Sequence, residues 1–376
     1  MNKILVIGST PPPHLGQAIM TKYLIDIESN HFKFYYINLS FSKNSTQFGK
    51  INFFKILSLV KVFVLIIYFR IFHKCKILYY NPSGHRYFPI IRDILILWWS
   101  RKLFNKTIFH FHAYGINIVY KKMNKILKFF FRLSFFKPDL MIKLTQDLND
   151  DELLIKPLKT EIIANGIEDN FTKYGFSRNT RRSKKFKLLY VGAIYEERGI
   201  LDLINLIIKL KKKGINDLEL IFVGDFVDIS FKNLVYSTIN KFKIRDKIIF
   251  KGELIGKIKF REFNLCDILV FPSRVPSETF GLVIVEAMQF YKPSIVTNLN
   301  GPKYVIENQI DAVLYESQNI DDLEEKLLSI KNNKHYQYKL GLNARANYEK
   351  KYSLEIFQRK ISKVFMLIFL YYSIKH

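Results

Sequence analysis

Short apolar, strand-like runs alternate with longer segments of helical period along this chain, and that alternation restricts it to parallel α/β architecture. Strands are expected at Lys3–Ile7, Phe34–Asn38, Ile77–Tyr80, Thr107–Phe111, Leu140–Leu144 and Glu161–Ile163. The pattern pauses at Asn170–Lys185, where Ser, Asn, Thr and six basic residues replace the apolar ones. This is the expected linker. Strands resume at Phe186–Val191, Leu218–Val223, Ile248–Phe250, Ile268–Phe271 and Ser294–Thr297, with a helix from about Ile200 to Lys213 after the first of them. A length of 376 residues, 49% of them hydrophobic, suits two domains with separate cores. Two stacked Rossmann-like units would form a cleft lined by the loops at the carboxyl ends of their strands. Ligands of open α/β sheets bind at those ends, so functional residues are expected on turns directly after strands.

Charge is unevenly spread. The whole chain carries +26, and residues 1–143, with 22 basic and 4 acidic side chains, hold +18 of it. So basic a half implies contact with an anionic surface, membrane or nucleic acid. Cys75 and Cys266 are far apart and outside metal-ligand spacing, which fits a reducing compartment and excludes a disulfide framework. The opening apolar run reads as a first strand entering a Gly turn, too short for a signal peptide. Ile51–Phe72 is very apolar but interrupted by Lys55, Lys61 and Arg70. Neither it nor Val364–Ile374 reaches the ~20 uncharged residues that span a bilayer, so a buried or interfacial helix is expected at Ile51–Phe72.

The strongest local signal is Ser277-Glu-Thr-Phe-Gly-Leu-Val-Ile-Val-Glu-Ala-Met288, following the apolar strand Ile268–Phe271 and the turn Pro272-Ser273. Its spacing places Glu278 in a loop before a helix and Glu286 about two turns inside it, on the same side. Backbone N–H groups at Phe280, Gly281 and Leu282 and the helix dipole can hold a phosphate, while carboxylates accept from sugar hydroxyls. On spacing alone, an ordinary helix start with a capping Glu278 fits equally well.

The stretch from Lys251 to Leu314 resembles the donor domain of family 4 retaining glycosyltransferases, whose motif E-x-F-G-L-x-x-x-E-A-M it matches. His112, Asn165-Gly166, Val191-Gly192, Val223-Gly224-Asp225 and Lys251-Gly252 follow the family's order. The resemblance implies a GT-B fold: an acceptor-binding domain over 1–180, a donor-binding domain over 181–345, and a helical stretch, 346–376, packing back on the first domain. It further implies a nucleotide diphosphate sugar as co-substrate, no other cofactor, and a lipid-linked or glycan acceptor in surface polysaccharide biosynthesis at the cytoplasmic membrane face. By the same resemblance Glu278 would hold donor-sugar hydroxyls and Glu286 the ribose hydroxyls, with the Phe280, Gly281 and Leu282 backbone against sugar or phosphate. Arg198, in place of the family's Lys, would neutralise the diphosphate, and His112 would sit by the donor sugar. Ala193 stands where the family often has Arg, a missing cation for which Arg274 could substitute.

Gly16, at a helix start after the first strand, would let backbone approach the donor phosphate or the acceptor. Alternation sends His110 and His112 to the same side of their strand. There is no Asp-x-Asp placed after a strand, so no metal site is expected, and the positive charge would stabilise the leaving group. Lys121, Lys125, Lys128 and Arg132 form a basic stripe within Ile118–Lys137, opposite an apolar line through Val119, Met123, Ile126, Phe130 and Leu133. With Arg101, Lys102, Lys106, Trp98 and Trp99, this face is expected to meet an anionic membrane. The alternative is a non-catalytic basic protein that binds nucleotide or nucleic acid.

Overall fold

The computed structural model describes residues 1–12, 16–39, 53–147, 150–178, 184–299 and 301–373. Pro13-His14-Leu15 of the first turn, part of the expected linker and the ends of both long apolar runs lie outside the described residues. The chain divides into two compact units, one of Met1–Gly166 with Leu354–His376 and one of Ile167–Ser353. The reading from sequence places the corresponding boundaries at 180 and 345.

In the first unit, strands β1 (Asn2–Gly8), β2 (Phe32–Asn38), β3 (Ile77–Tyr80), β4 (Lys106–His110), β5 (Leu140–Lys143) and β6 (Thr160–Ile162) form one parallel sheet in the order β2-β1-β3-β4-β5-β6. Ile4 to Ile7 are fully buried, as expected for strands covered by helices on both faces. The helix Leu354–Ser373 belongs to this unit, and its Phe365 ring packs 5.4 Å from Phe32 and 5.3 Å from Phe34. Burying a Phe in this way contributes roughly 1.5–3 kcal/mol.

The second unit repeats the plan. Strands β7 (Phe186–Val191), β8 (Leu218–Val223), β9 (Ile248–Phe250), β10 (Ile268–Phe271), β11 (Ser294–Thr297) and β12 (Val313–Tyr315) run parallel in the order β12-β11-β10-β7-β8-β9. Three-residue β12 escaped the sequence reading. In each sheet the chain builds outward to one side and then returns to the other. The switch falls between β1 and β3 in the first and between β7 and β10 in the second.

The expected linker needs correction at its start. Asn170–Lys173 is a helical turn capped by Asp169, and it is stitched into the second unit. The buried Gln289 amide accepts from the Asn170 backbone N–H at 3.0 Å and donates to the Glu168 carbonyl at 2.8 Å. Arg345 then grips Asp169 through two N–H groups at 3.0 and 2.6 Å. Polarity here marks a hydrogen-bonded seam, not a free tether.

A second correction concerns Ile118–Lys137. It is two helices, Ile116–Lys122 and Lys125–Phe135, broken where the Asn124 side chain accepts from the Leu127 N–H. The break rotates the faces: Phe131, Ser134 and Phe135 are buried, whereas Ile126 is 72% and Leu133 36% exposed. Arg101 is structural, its guanidinium donating to the Phe136 and Lys137 carbonyls at 2.5 Å each, at the end of the second helix.

Gly199 shows how tightly the second sheet's loops approach. It has φ +71°, and a Cβ there would sit 2.2 Å from the Pro272 carbonyl oxygen. Gly214 has φ +78° with open space around it. Gly199→Ala is therefore expected to cost about 2–4 kcal/mol in urea unfolding, adding a backbone clash to φ strain. Gly214→Ala should cost about 1 kcal/mol from strain alone.

Candidate functional site

The second sheet switches direction between β7 and β10, paired through Ile268 with Leu188 and Leu269 with Leu189. A crevice beyond the carboxyl ends of two such strands is where open α/β sheets bind ligands. The loop after β7 ends in a short turn, Glu196–Arg198, and Gly199 then opens the helix Ile200–Lys212. The loop after β10 lies along it: the Arg274 N–H donates to the Glu197 carbonyl at 2.8 Å, and the Arg274 guanidinium to the Glu196 carbonyl at 3.2 Å. That close packing carries Arg198 onto Glu278 in an ion pair, with the Ser273 hydroxyl 3.4 Å from the same guanidinium. Burial disfavours the charged guanidinium, but Glu278, Tyr190 and Tyr195 outweigh it and raise the Arg198 pKa well above its ordinary value. Arg198 Nε is buried without a hydrogen-bond partner among the described residues.

Past Glu278 the chain turns into the helix Leu282–Gln289 through Gly281, left-handed at φ 74°, with no side-chain cap. The Ile284 N–H bonds the Gly281 carbonyl at 2.9 Å, and no side-chain oxygen caps the first turn. Phe280 is buried against the Tyr352 ring at 5.7 Å, fixing the entry to the helix. Inside the helix Glu286 is 9% exposed, and Lys259 Nζ lies 2.6 Å from its Oε1.

Arg198, Glu278, the Phe280-Gly281-Leu282 turn and Glu286 thus all belong to the second unit, and the structure joins the first two directly. Ala193 is exposed, its carbonyl accepting from the buried Tyr190 hydroxyl at 2.8 Å. Lys259 and Tyr190 escaped the sequence reading, as did the contact of Ser273 with Arg198. Lys259 lies on another helix, Gly256–Leu265, and no local spacing ties it to Glu286.

Gly16 and His112 belong to the first unit. Gly16 opens the helix Gly16–Ile25 after β1, a switch-point strand of that sheet, and His112 follows β4. The His110 and His112 rings lie against each other, tilted by 39° with centroids 4.1 Å apart, and His110 Nδ1 hydrogen-bonds the buried Tyr79 hydroxyl. Burial pushes the His112 pKa down to about 3, and His110 falls well below its ordinary value through burial and its neighbour. Both imidazoles are neutral at pH 7. They can exchange hydrogen bonds with a ligand but supply no positive charge. Among the described residues, no cluster of His, Cys, Asp and Glu could hold a metal ion.

This fold is GT-B. Anabaena HepE in complex with UDP superposes with a TM-score of 0.72 at 15% identity, over 97% of this chain and 100% of that one. Sucrose-phosphate synthase from Thermosynechococcus elongatus does so with 0.72 at 17%, over 98% and 100%. Residues 171–347, within the second unit, match the family model for glycosyl transferases group 1. An uncharacterized glycosyltransferase of Methanocaldococcus jannaschii is 32% identical over 183 residues, 47% of each chain. The capsular polysaccharide biosynthesis glycosyltransferase CapM of Staphylococcus aureus is 26% identical over 212 residues, 54% of this chain and 53% of that one. The chain spans about half the length of these curated relatives.

The half-buried His112 carries a pH signature. Unfolded His112 takes up a proton near 6.5 and the folded ring only near 3, so its contribution to stability is complete above 6.5 and lost as pH falls toward 3. Its ring resonances in NMR should not titrate between about pH 5 and 8. In His112→Phe the stability-against-pH curve should flatten below 6.5. A ring titrating near 6.5 would contradict the assignment.

Proposed function

We propose that the chain is a retaining, metal-independent glycosyltransferase that moves a sugar from a nucleotide diphosphate sugar to an acceptor hydroxyl. The observation carrying this reading is the Arg198–Glu278 pair at the switch between β7 and β10, next to an uncapped helix start. Cation and helix dipole together suit a diphosphate, and a carboxylate beside them suits sugar hydroxyls. In this reading the second unit holds the donor. Arg198 and the Phe280–Leu282 N–H groups take the diphosphate oxygens, Glu278 orients the sugar and Glu286 accepts from the ribose. His112 is assigned a catalytic role as a neutral hydrogen-bonding group, and Gly16 a donor-binding one.

The bond from the anomeric carbon to the leaving phosphate oxygen breaks as the bond to the acceptor oxygen forms on the same face. The acceptor proton passes to the departing diphosphate. Such a path needs no protein nucleophile, and fixed positive charge does the work of a metal ion on the leaving group. The acceptor is a lipid-linked glycan or another glycan in surface polysaccharide assembly. CapM, named for capsular polysaccharide biosynthesis, and an O-antigen chain mannosyltransferase of Escherichia coli, 26% identical over 109 residues, support that context.

Donor turnover tests the site. With EDTA present throughout, Glu286→Ala should weaken donor binding by about 1.5–3 kcal/mol, the worth of a charge-assisted hydrogen bond. Glu278→Ala should lower kcat more than it raises KM, because sugar orientation sets the reacting geometry. Wild-type turnover in both variants, or activity abolished by EDTA and restored by magnesium, would refute the assignment. Nucleotide binding with no transfer to any acceptor would favour the non-catalytic reading.

The same proposal places the chain peripherally on the inner membrane face. No helix among the described residues is long and apolar enough to cross a membrane. The first unit does expose apolar side chains beside cations. Ile126 and Phe129 are 72% and 57% exposed next to Lys125, and Leu57, Val60, Val64 and Ile67 are exposed along the helix Phe53–Ile71. Each cation near an anionic bilayer contributes about 1 kcal/mol, screened by salt, while apolar insertion is not screened. Anionic liposomes should therefore bind the protein, neutral ones weakly, with partial release in high salt. Replacing Lys121, Lys125, Lys128 and Arg132 by Gln should remove the salt-sensitive part without changing donor affinity. Equal binding to neutral and anionic liposomes would oppose this, as would tight nucleic-acid binding without liposome binding.

A further inference from the structure

We propose that Lys259 is a positioning residue for ribose recognition: it fixes one oxygen of the Glu286 carboxylate and leaves the other free for a sugar hydroxyl. The inference rests on the reading of Glu286 as the ribose acceptor.

Two observations carry it. Lys259 Nζ lies 2.6 Å from Oε1, with the Lys259 side chain 20% and that of Glu286 12% exposed. The ammonium also sits 4.6 Å from the centroid of the Phe260 ring, which holds it in place. Glu286 Oε2, by contrast, is buried with no hydrogen-bond partner among the described residues. Buried carboxylates are expensive unless their oxygens are satisfied. The same unit shows what a purely structural pair looks like: Arg345 donates to both oxygens of Asp169, at 3.0 and 2.6 Å. Glu286 is half-satisfied. Its Lys partner is a point donor that neutralises the charge without occupying the second oxygen. An arginine fork would span both.

This difference gives the test. Binding of UDP, GDP and ADP to the full chain is measured by calorimetry, followed by the 2′,3′-dideoxy analogue of whichever binds most tightly. Wild type should prefer the ribose form by about tenfold or more, the range for hydrogen bonds to a charged group. Lys259→Gln should lose most of that preference by weakening the ribose form while leaving the dideoxy form within about twofold. Lys259→Arg should keep the wild-type unfolding temperature, because the charge pair survives, yet also lose the preference, because the fork occupies Oε2. This variant keeps the test open if Lys259→Gln does not fold. A wild-type ribose preference in either variant overturns the inference, as does equal weakening of both ligands. A wild type that binds no diphosphate, or ignores the ribose hydroxyls, overturns the reading of Glu286 itself.

Discussion

The parallel pairing of β7 with β10 is the constraint on which the candidate site depends. These strands are neighbours in space but separated in sequence by β8 and β9, and their adjacency lays two loops side by side at the carboxyl end of the sheet. Gly199 lets the loops touch, since any Cβ there would collide with the Pro272 carbonyl. Arg198 and Glu278 then meet as a direct consequence. Parallel strands buried on both faces leave their polar chemistry nowhere else to collect but the loop ends.

Charge placement in the second unit follows one physical rule. A partly buried cation or carboxylate is retained only where another group compensates it. Arg345 with Asp169, Arg198 with Glu278 and Lys259 with Glu286 obey it, but they differ in completeness. The first is bidentate and closes a structural seam beside Gln289. The other two leave Arg198 Nε and Glu286 Oε2 buried and unmatched among the described residues. Incomplete satisfaction at these two residues suits a polar ligand, although Asp202 Oδ2 and Asn347 Oδ1 of the same unit are also buried and unmatched among the described residues.

The first unit solves a different problem. Its sheet is covered by aromatic side chains, Phe32, Phe109, Phe131 and Phe135 among those fully buried, and the closing helix adds Phe365. Two histidines in ring contact lie in this apolar surrounding, where desolvation keeps them uncharged. Arg101 and Lys106 read as surface charge from sequence, yet one holds the end of a helix through its carbonyls and the other pairs with Asp139 at 2.7 Å. Net charge therefore overstates how much of this unit's basicity is free to meet a membrane.

All the described strands except β12 were legible in the sequence because buried parallel strands need continuous apolar runs, and those runs are local. Phe186–Val191, Leu218–Val223, Ile248–Phe250, Ile268–Phe271 and Ser294–Thr297 coincide with observed strands to the residue. Glu278, Gly281 and Glu286 were legible for the same reason, lying within one helix start whose spacing carries meaning. What depended on distant partners was not legible. The linker's polar opening became a seam only through Gln289 and Arg345. The basic stripe split because Asn124 caps a new helix, and of its supposed apolar line Val119 and Met123 are buried while Ile126 and Leu133 turned outward. Lys259 reached Glu286 only once the helices Gly256–Leu265 and Leu282–Gln289 had packed. Periodicity and turn chemistry act within a few residues and are written along the chain. Ion pairs, close glycine contacts and desolvation arise between segments far apart in sequence, and only the tertiary structure decides them.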